Sequence, residues 1–279
     1  MRVTFWGTRG SLPTSGPETT RYGGNTACVQ VRGSRDTLLI LDAGTGIRRL
    51  GEALDSELTR LDILLSHLHL DHIQGLGFFA PLYKPGVEVH IWGPPSTTLD
   101  LRTRLARYLS PPLFPVRIRE FQCDLTLHDA PLSPFAIGEF EVRAEPICHP
   151  GATVGYRVTE DGVSHAYLSD HEPALGVREF PGEANWTSGF DLARDVDLLI
   201  HDAQYTDLEY LEHIGWGHSS ISQALLFASL AKVKRLALFH YDPAHDDTTL
   251  ELSLEEARHR LGALPFDVLF SAEGLTVTI

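Results

Sequence analysis

The sequence predicts a protein of the α/β class. Short apolar runs bounded by Gly, Pro or polar residues alternate with segments whose apolar residues recur every three or four positions. The runs have the length of buried strands and the periodic segments have the length of helices, a pattern typical of sheets covered by helices. The 279 residues, 43% of them hydrophobic, suffice for one large domain, which we expect to span residues 1–279.

Strands and helices are predicted to alternate through the first half of the chain. Strands are predicted where apolar residues run together, at residues 2–6, 27–31, 37–41, 61–66 and 87–92. Ile47, Leu50 and Leu54 fall on one helical face and predict a helix after the third strand. A second helix is predicted over residues 97–109, and the prolines that follow it end it.

The second half of the sequence continues this alternation. The same criteria predict strands at residues 140–147, 153–158, 164–168, 196–201, 235–240, 266–270 and 275–279. Helices are predicted over 219–230, where hydroxyl side chains cap the first turn, and over 248–261, where Asp247 or Thr248 is the cap. The stretch 172–189 contains Gly and Pro and is predicted to be a loop that can act as a lid.

The charge balance limits the class of partner. The 23 Lys and Arg residues against 37 Asp and Glu residues give a formal net charge of −14. Long nucleic acids bind largely through phosphates that basic side chains neutralise, so this balance disfavours them. Small anionic substrates remain compatible with it, because bound metal ions reverse the field locally.

The cysteines and the amino terminus indicate a cytoplasmic protein. Cys28, Cys123 and Cys148 cannot all pair and show no CxxC spacing, so neither a disulfide framework nor a thiolate cluster is expected. The amino terminus reads as a strand without a basic start, and no stretch approaches eighteen apolar residues. We therefore expect no export signal and no membrane span.

Four residues with metal-ligand side chains stand together directly after the predicted strand 61–66. They are His67, His69, Asp71 and His72. Imidazole and carboxylate are ligands that zinc accepts, and side chains spread over a tight turn can serve two ions. Single histidines are usually surface or hydrogen-bonded core residues, but four ligand-type residues at this spacing indicate a metal site.

Further ionisable residues follow other predicted strands. They are Asp42, His149, Asp170, His201 and His240. Strand ends are where a rigid scaffold presents side chains to a common mouth, and unpaired buried charge is costly. A shared metal site therefore accounts for these positions together.

The order of these motifs resembles that of the metallo-β-lactamase superfamily over nearly the whole chain. The resemblance implies an αββα sandwich, in which two mixed β-sheets are flanked by helices and the metal site lies at one edge. It also implies seven ligands for two zinc ions, which are His67, His69 and His149 for one ion, Asp71, His72 and His240 for the other, and Asp170 as a bridge. Manganese or iron is compatible with the same ligands. Asp42 is expected beneath them, where it would orient a histidine.

Two further motifs resemble the phosphodiesterase branch that contains ribonuclease Z. Residues 199–205 read Leu-Ile-His-Asp-Ala-Gln-Tyr, and residues 215–220 read Gly-Trp-Gly-His-Ser-Ser and open a helix. In that branch an acidic residue of the first motif pairs with the histidine of the second, positions that Asp202 and His218 occupy here. An imidazole held by a carboxylate can donate a proton to a leaving alkoxide. The alternatives are an exposed histidine at a helix terminus and an aspartate paired with backbone.

The opening of the chain resembles a subgroup that includes cyclic-nucleotide phosphodiesterases and anti-Pycsar enzymes. The segments that carry this likeness are residues 5–13 and 21–26. Arg9, Asn25 and Thr26 are candidate donors to a substrate phosphate, and the alternative is a glycine-rich loop whose polar groups satisfy its own backbone. Trp216 is a candidate stacking partner for a base, as are Tyr205 and Trp186, although aromatic side chains more often pack in the core.

These features predict a metal-dependent phosphoric diester hydrolase that acts on a small nucleotide. Two zinc ions activate water, Asp71 and Asp170 orient it, and His218 with Asp202 protonates the leaving group. The favoured substrate is a 3′,5′-cyclic nucleotide, and a homodimer is expected from the resemblance. The alternatives are ribonuclease Z-like RNA processing, thioester or lactone hydrolysis, and a nucleotide sensor without turnover.

Overall fold

Two β-sheets pack face to face, and helices cover both outer faces. The computed structural model describes residues 1–174 and 176–279. This arrangement confirms the predicted α/β class and the αββα sandwich with two mixed sheets. Within the described residues, no helix has the length and apolar character needed to cross a bilayer.

The first sheet contains the amino-terminal strands and the last strand of the chain. Its strands are β1 (Arg2–Gly7), β2 (Cys28–Arg32), β3 (Leu38–Leu41), β4 (Arg60–Leu64), β5 (Glu88–Gly93), β6 (Asp124–Asp129) and β14 (Thr276–Thr278). They lie in the order β14-β1-β2-β3-β4-β5-β6. The pairs from β14 to β3 are antiparallel, and those from β3 to β6 are parallel. The parallel strands therefore end at one edge.

The second sheet has the same division into antiparallel and parallel halves. Its strands are β7 (Phe135–Ile137), β8 (Phe140–Pro146), β9 (Val154–Glu160), β10 (Val163–Leu168), β11 (Leu198–Asp202), β12 (Arg235–Phe239) and β13 (Asp267–Phe270). They lie in the order β13-β12-β11-β10-β9-β8-β7. The strands β10 to β13 pair in parallel, and β7 to β10 pair antiparallel.

The helices lie outside the sheets and are mostly short. They are α1 (Gly46–Ala53), α2 (Leu70–Ile73), α3 (Leu101–Leu105), α4 (Phe190–Ala193), α5 (Asp207–Glu212), α6 (Ile221–Ala231) and α7 (Asp247–Leu261). Short 3-10 helices lie at Pro17–Thr19, Leu76–Phe78, Ala80–Tyr83, Ile118–Glu120 and Ala184–Trp186. The N-terminus of α6 is capped by Ser220, whose hydroxyl accepts a hydrogen bond from the Gln223 amide.

Apolar side chains fill three layers. The central layer lies between the sheets and includes Phe5, Tyr167 and Phe239, all fully buried. A second layer lies between one sheet and α1 to α3, and a third lies between the other sheet and α4, α6 and α7. Because both faces of the inner strands are covered, these strands read in the sequence as continuous apolar runs.

The predicted helix over residues 97–109 is shorter in the structure. It begins only at Leu101, because the Asp100 carboxylate caps it by accepting from the Thr103 amide, and its regular part ends at Leu105. The residues before Asp100 form turns around the hydroxyl of Ser96 instead. The apolar stripe was nevertheless read correctly, since Leu101, Leu105 and Leu109 are all buried.

Five of the described strands and α-helices were absent from the sequence prediction, namely β6, β7, α2, α4 and α5. Both strands lie at sheet edges, where a strand pairs with a neighbour on one side only. The sequence of β6 is correspondingly polar, and β7 has only three residues. The predicted lid at 172–189 includes Leu175, which lies outside the described residues. The remainder of that stretch is tied down at Ser188, whose amide donates to the Pro173 carbonyl.

Candidate metal centre

The polar residues that follow the parallel strands converge at one edge of the sandwich. Asp42 follows β3 and His240 follows β12, and both have left-handed backbone conformations, with φ of 57° and 61°. Few residues other than glycine adopt such φ values, so this geometry marks positions where the chain turns sharply to aim a side chain. Asp170 lies two residues after the end of β10, and Asp202 is the last residue of β11.

One group of candidate ligands consists of His67, His69, His149 and Asp170. One ligand atom from each lies within 4.8 Å of every other. The Nδ1 atom of His69 is 3.1 Å from Nε2 of His149, and Oδ2 of Asp170 is 3.6 Å from Nε2 of His67. The sequence separates these residues by up to 103 positions, and the fold brings them together.

The second group consists of Asp71, His72, His240 and, again, Asp170. The Oδ1 atom of Asp170 is 3.0 Å from Nε2 of His72, and its Oδ2 atom is 3.3 Å from Nε2 of His240. Oδ2 of Asp71 is 3.2 Å from both of these imidazole nitrogens. Asp170 is thus shared by the two groups, the position of a bridging ligand.

The protonation chemistry of the first group suits a metal ion. Burial lowers the pKa of His67 far below its ordinary value and that of His149 to about 4, so both imidazoles are neutral at physiological pH. Nε2 of His67 is buried and has no hydrogen-bond partner in the described structure. A neutral imidazole nitrogen with an unused lone pair, facing other nitrogen and oxygen lone pairs, is suited to bind a metal ion.

The second group carries an excess of negative charge. Burial opposes protonation of His72, yet Asp170, Asp71 and Asp42 together raise the pKa of its imidazole well above the ordinary value. Asp170 and Asp71 likewise raise the pKa of His240 against the effect of burial. The same field attracts any cation, and His72 and His240 present their Nε2 atoms to each other across 3.2 Å. The residues therefore fit divalent metal ions.

The second ring nitrogen of several candidate ligand histidines is held by a neighbour. Nδ1 of His72 is 2.7 Å from Oδ2 of Asp42, and Nδ1 of His67 is 3.0 Å from the Ser66 hydroxyl. Nδ1 of His149 donates to the Gly217 carbonyl at 2.9 Å. These contacts fix the tautomer and orientation of each ring, which leaves the other nitrogen for a metal.

Asp42 is the hub beneath the ligands and is fully buried. Besides His72, it accepts hydrogen bonds from the amide and hydroxyl of Ser66, at 2.7 and 2.8 Å, and from the Tyr167 hydroxyl at 2.8 Å. Ser66 follows β4 of the first sheet, and Tyr167 lies on β10 of the second sheet. The carboxylate therefore links the two sheets at the site, and the predicted role of Asp42 agrees with this position.

Asp202 and His218 form a buried pair beside the second group. Nδ1 of His218 is 2.6 Å from Oδ2 of Asp202, and because an ionised carboxylate only accepts, Nδ1 is the donor. The other oxygen of Asp202 accepts from the amides of Gln204 and Ser219, both at 3.0 Å. The His218 ring stacks on His240 with centroids 5.1 Å apart. The alternative of an exposed His218 is wrong, since only 9% of the residue is exposed.

Glu172 anchors the loop that carries His218, a role that the sequence analysis missed. This fully buried carboxylate accepts from the amides of Gly215 and Gly217, each at 2.9 Å, and from the Tyr210 hydroxyl at 2.9 Å. Gly217 is the residue whose carbonyl orients His149. Glu172 therefore positions one ligand and the Asp202–His218 pair together.

The expectation that Arg9 and Thr26 donate to a substrate phosphate is corrected by the structure, because both residues are fully buried. Substrate contact by the half-buried Asn25 stays a prediction. The Arg9 guanidinium is fully buried and donates to the carbonyls of Gly23, Asp242 and His245. These contacts join two loops and leave none of its donors exposed.

Asn25 and Thr26 are also engaged with the protein itself. The Asn25 amide donates to both carboxylate oxygens of Glu273. The buried Thr26 hydroxyl accepts from the Thr45 amide and from the Gln74 side chain. For Arg9 and Thr26, the structure supports the alternative weighed for this segment, in which polar groups satisfy the protein's own backbone and neighbours.

The aromatic candidates differ in their surroundings. Trp216 is 60% exposed on the loop before His218, and its ring lies edge-on to His213. Tyr205 is buried against His213 and Trp186 is exposed. Substrate contact by Trp216 remains a prediction, whereas Tyr205 packs within the protein. His201 is buried and faces His171 rather than the ligands.

The loop before β2 supplies one more contact that no motif revealed. The Ser11 amide donates to Oδ2 of Asp71 at 2.8 Å, and Gly10 packs directly against the His240 ring. A Cβ atom at Gly10 would lie 2.4 Å from Nδ1 and Cε1 of His240. Only a glycine fits there while the ring keeps its position.

We expect Gly10→Ala to displace His240 and to weaken metal binding by about 10- to 100-fold, the usual cost of disturbing the support of a ligand. Metal content after dialysis against a graded chelator series measures this. Leu12→Ala, at a neighbouring residue that is 61% exposed, is the control and should bind like the wild type. Equal metal retention by Gly10→Ala and the wild type would contradict the expectation.

We expect Glu172→Gln to lower hydrolytic turnover by about 10- to 100-fold. The side-chain NH2 of glutamine is a donor, and it would face backbone N–H groups of Gly215 and Gly217 that the carboxylate accepts from. Glu183→Gln removes an exposed carboxylate from the same region and should leave turnover unchanged. Turnover and metal content are measured together. Unchanged activity in Glu172→Gln would show that the loop does not need this anchor.

Comparison with known proteins gives the family. The sequence model of the beta-lactamase superfamily domain matches residues 37–241. A ribonuclease Z of Myxococcus xanthus (strain DK1622) is 26% identical over 320 aligned residues, which cover 100% of this chain and 98% of the relative.

Solved structures show the same fold. The metallo-beta-lactamase fold protein YhfI from Bacillus subtilis is 20% identical with a TM-score of 0.71, and the match covers 99% of this chain and 98% of that one. A diphosphatase from the PhnP family is 19% identical with a TM-score of 0.69, over 100% and 97% of the two chains. With most of its length matched by the superfamily domain, this chain belongs to the metallo-β-lactamase superfamily of hydrolases.

Proposed function

We propose that this protein is a phosphodiesterase with a pair of divalent metal ions, zinc in the first instance, and that it hydrolyses a small nucleotide phosphodiester, with 3′,5′-cyclic nucleotides favoured. The observation that carries the proposal is the Asp202–His218 pair, whose imidazole stacks on His240 beside the candidate ligands. Hydrolysis of a phosphodiester expels an alkoxide, and a positioned acid beside the metal centre meets that need.

Divalent metal ions at such a centre lower the pKa of water toward neutrality and offset charge on phosphoryl oxygens. The seven side chains predicted as ligands are those that the two groups contain, with Asp170 in both. Manganese or iron would find the same nitrogen and oxygen donors.

The residues of the chain then divide the remaining work. Asp71, with Oδ2 held by the Ser11 amide, orients the attacking water in line with the leaving oxygen. Asp202 accepts a hydrogen bond from Nδ1 of His218 and so fixes the ring, and Nε2 then donates a proton to the leaving oxygen. Because Asp202 is fully buried, the orientation of the His218 ring stays fixed.

The charge of the chain supports a small substrate. With a net charge of −14, attraction of a long phosphate backbone is weak, whereas a single phosphodiester needs only the field at the centre. RNA processing is the second candidate, favoured by the 26% identity to a ribonuclease Z over the whole chain. We also propose a homodimer, which light scattering tests.

A substrate panel with metal analysis tests the proposed function. Metal-replete protein is offered bis(p-nitrophenyl) phosphate, cyclic nucleotides, a precursor tRNA and a thioester, and its metal content is determined by plasma emission. About two equivalents of metal and turnover of the phosphodiesters are expected. Cleavage of the precursor tRNA at much higher kcat/KM than any cyclic nucleotide would support RNA processing instead, and thioester turnover alone would refute both.

We expect His218→Ala to lower phosphodiester turnover by about 10²- to 10⁴-fold while metal content stays unchanged, because the imidazole donates a proton and binds no ion in this proposal. The control is His259→Ala, at an exposed position on α7, which should retain full activity. Loss of metal from His218→Ala would assign this histidine to the ligands.

A further inference from the structure

A cavity of about 400 Å³ opens directly beside the first group of candidate ligands. His67 and His69 form part of its wall. Most of the remaining wall is apolar, with Leu68, Leu70, Ile73, Leu113 and Ala152 among its residues. Any group attached to a phosphodiester at the centre on this side therefore enters an apolar space.

Tyr108 gives this cavity a fixed aromatic surface. Its hydroxyl donates to the Gln74 carbonyl at 2.6 Å, and its ring lies against the buried ring of Phe114, with centroids 5.9 Å apart. Because the hydroxyl is used and the ring is packed on one side, the side chain is held in place. A preordered aromatic ring at the edge of an apolar cavity favours a flat partner.

Two arginines in the wall have different roles. Arg104 is held by the Pro94 carbonyl at 2.7 Å and by the Asp129 carboxylate at 3.2 Å. Arg107, in the turn after α3, is exposed and forms no ion pair with any described residue. In a chain with 37 acidic side chains, the cavity therefore keeps one guanidinium whose donors are open to a ligand.

We propose that this cavity binds the purine base of the substrate, and that Arg107 selects guanine. The proposal rests on the proposed function and names its substrate class. A purine presents a flat face for Tyr108 and an apolar body for the leucine-rich wall. Guanine also places two acceptors, O6 and N7, on one edge, where a guanidinium fork donates to both. Adenine offers only one of these acceptors, and cytosine offers neither atom in that arrangement.

An alkyl chain or a second phosphate fits the cavity less well. An alkyl chain would contact the apolar wall but offer no acceptor to Arg107, whose donors would stay bonded to water. A phosphate would satisfy Arg107 but leave the apolar wall and the Tyr108 ring in contact with a strongly hydrated group. A base with polar atoms on one edge satisfies both parts of the wall.

Binding of product nucleotides tests the proposal independently of turnover. Calorimetry with metal-replete protein compares GMP, AMP and CMP. We expect GMP to bind roughly 5- to 150-fold more tightly than AMP, the discrimination given by one bidentate arginine contact, and both purine nucleotides to bind more tightly than CMP. In Arg107→Ala the GMP-to-AMP ratio should fall toward one. Arg102→Ala removes an exposed arginine of α3 that does not line the cavity, and should keep the wild-type ratio.

Each outcome separates the base pocket from the proposed function. Bis(p-nitrophenyl) phosphate carries no base, so its turnover by the wild type reports on the metal centre alone. Turnover of this substrate with equal affinity for GMP and CMP overturns the pocket and leaves the phosphodiesterase standing. A GMP-to-AMP affinity ratio that persists in Arg107→Ala overturns the role of Arg107. Selective GMP binding without any diester turnover supports the pocket and refutes the proposed function.

Discussion

A buried carboxylate that both sheets must satisfy is the constraint on which the site depends. Asp42 has no access to solvent, so its charge is stabilised only by the donors around it. Those donors come from Ser66 and His72 on one side of the sandwich and from Tyr167 on the other. The sheets can therefore pack correctly only when the side chains beneath the ligands are in register. The left-handed backbone of Asp42 is the local cost of aiming its carboxylate into this position.

The parts of this arrangement that the sequence reveals are those with a local signature. The strand predicted at 235–240 is found at Arg235–Phe239, because an apolar run buried on both faces is visible without knowledge of its neighbours. The segment His67–His72 is recognisable because four residues with metal-ligand side chains occupy six positions. The edge strands β6 and β7 escaped prediction, because one partner suffices for an edge and its composition is less apolar. Their recognition requires the neighbouring strand.

Residues whose role depends on distant backbone groups gave no such signal. Glu172 reads as an ordinary loop acid, and its function appears only when the amides of Gly215 and Gly217 are placed around it. The prediction for Arg9 erred in the opposite direction, because it assigned substrate binding to a residue with a structural role. A basic residue in a glycine-rich loop is compatible with phosphate binding, but the carbonyls that capture its guanidinium lie more than 230 positions away, at Asp242 and His245. No local pattern distinguishes these two fates.

The position of Asp170 between the two ligand groups has a thermodynamic consequence. A species that binds only the native state adds its binding free energy to that of folding, and unfolding must then release it. Because the candidate ligands follow strands of both sheets, folding of the sandwich and binding of the proposed ions would form one equilibrium. If the proposed ions bind here, the supply of metal would therefore govern how much of this protein is folded as well as how fast it works.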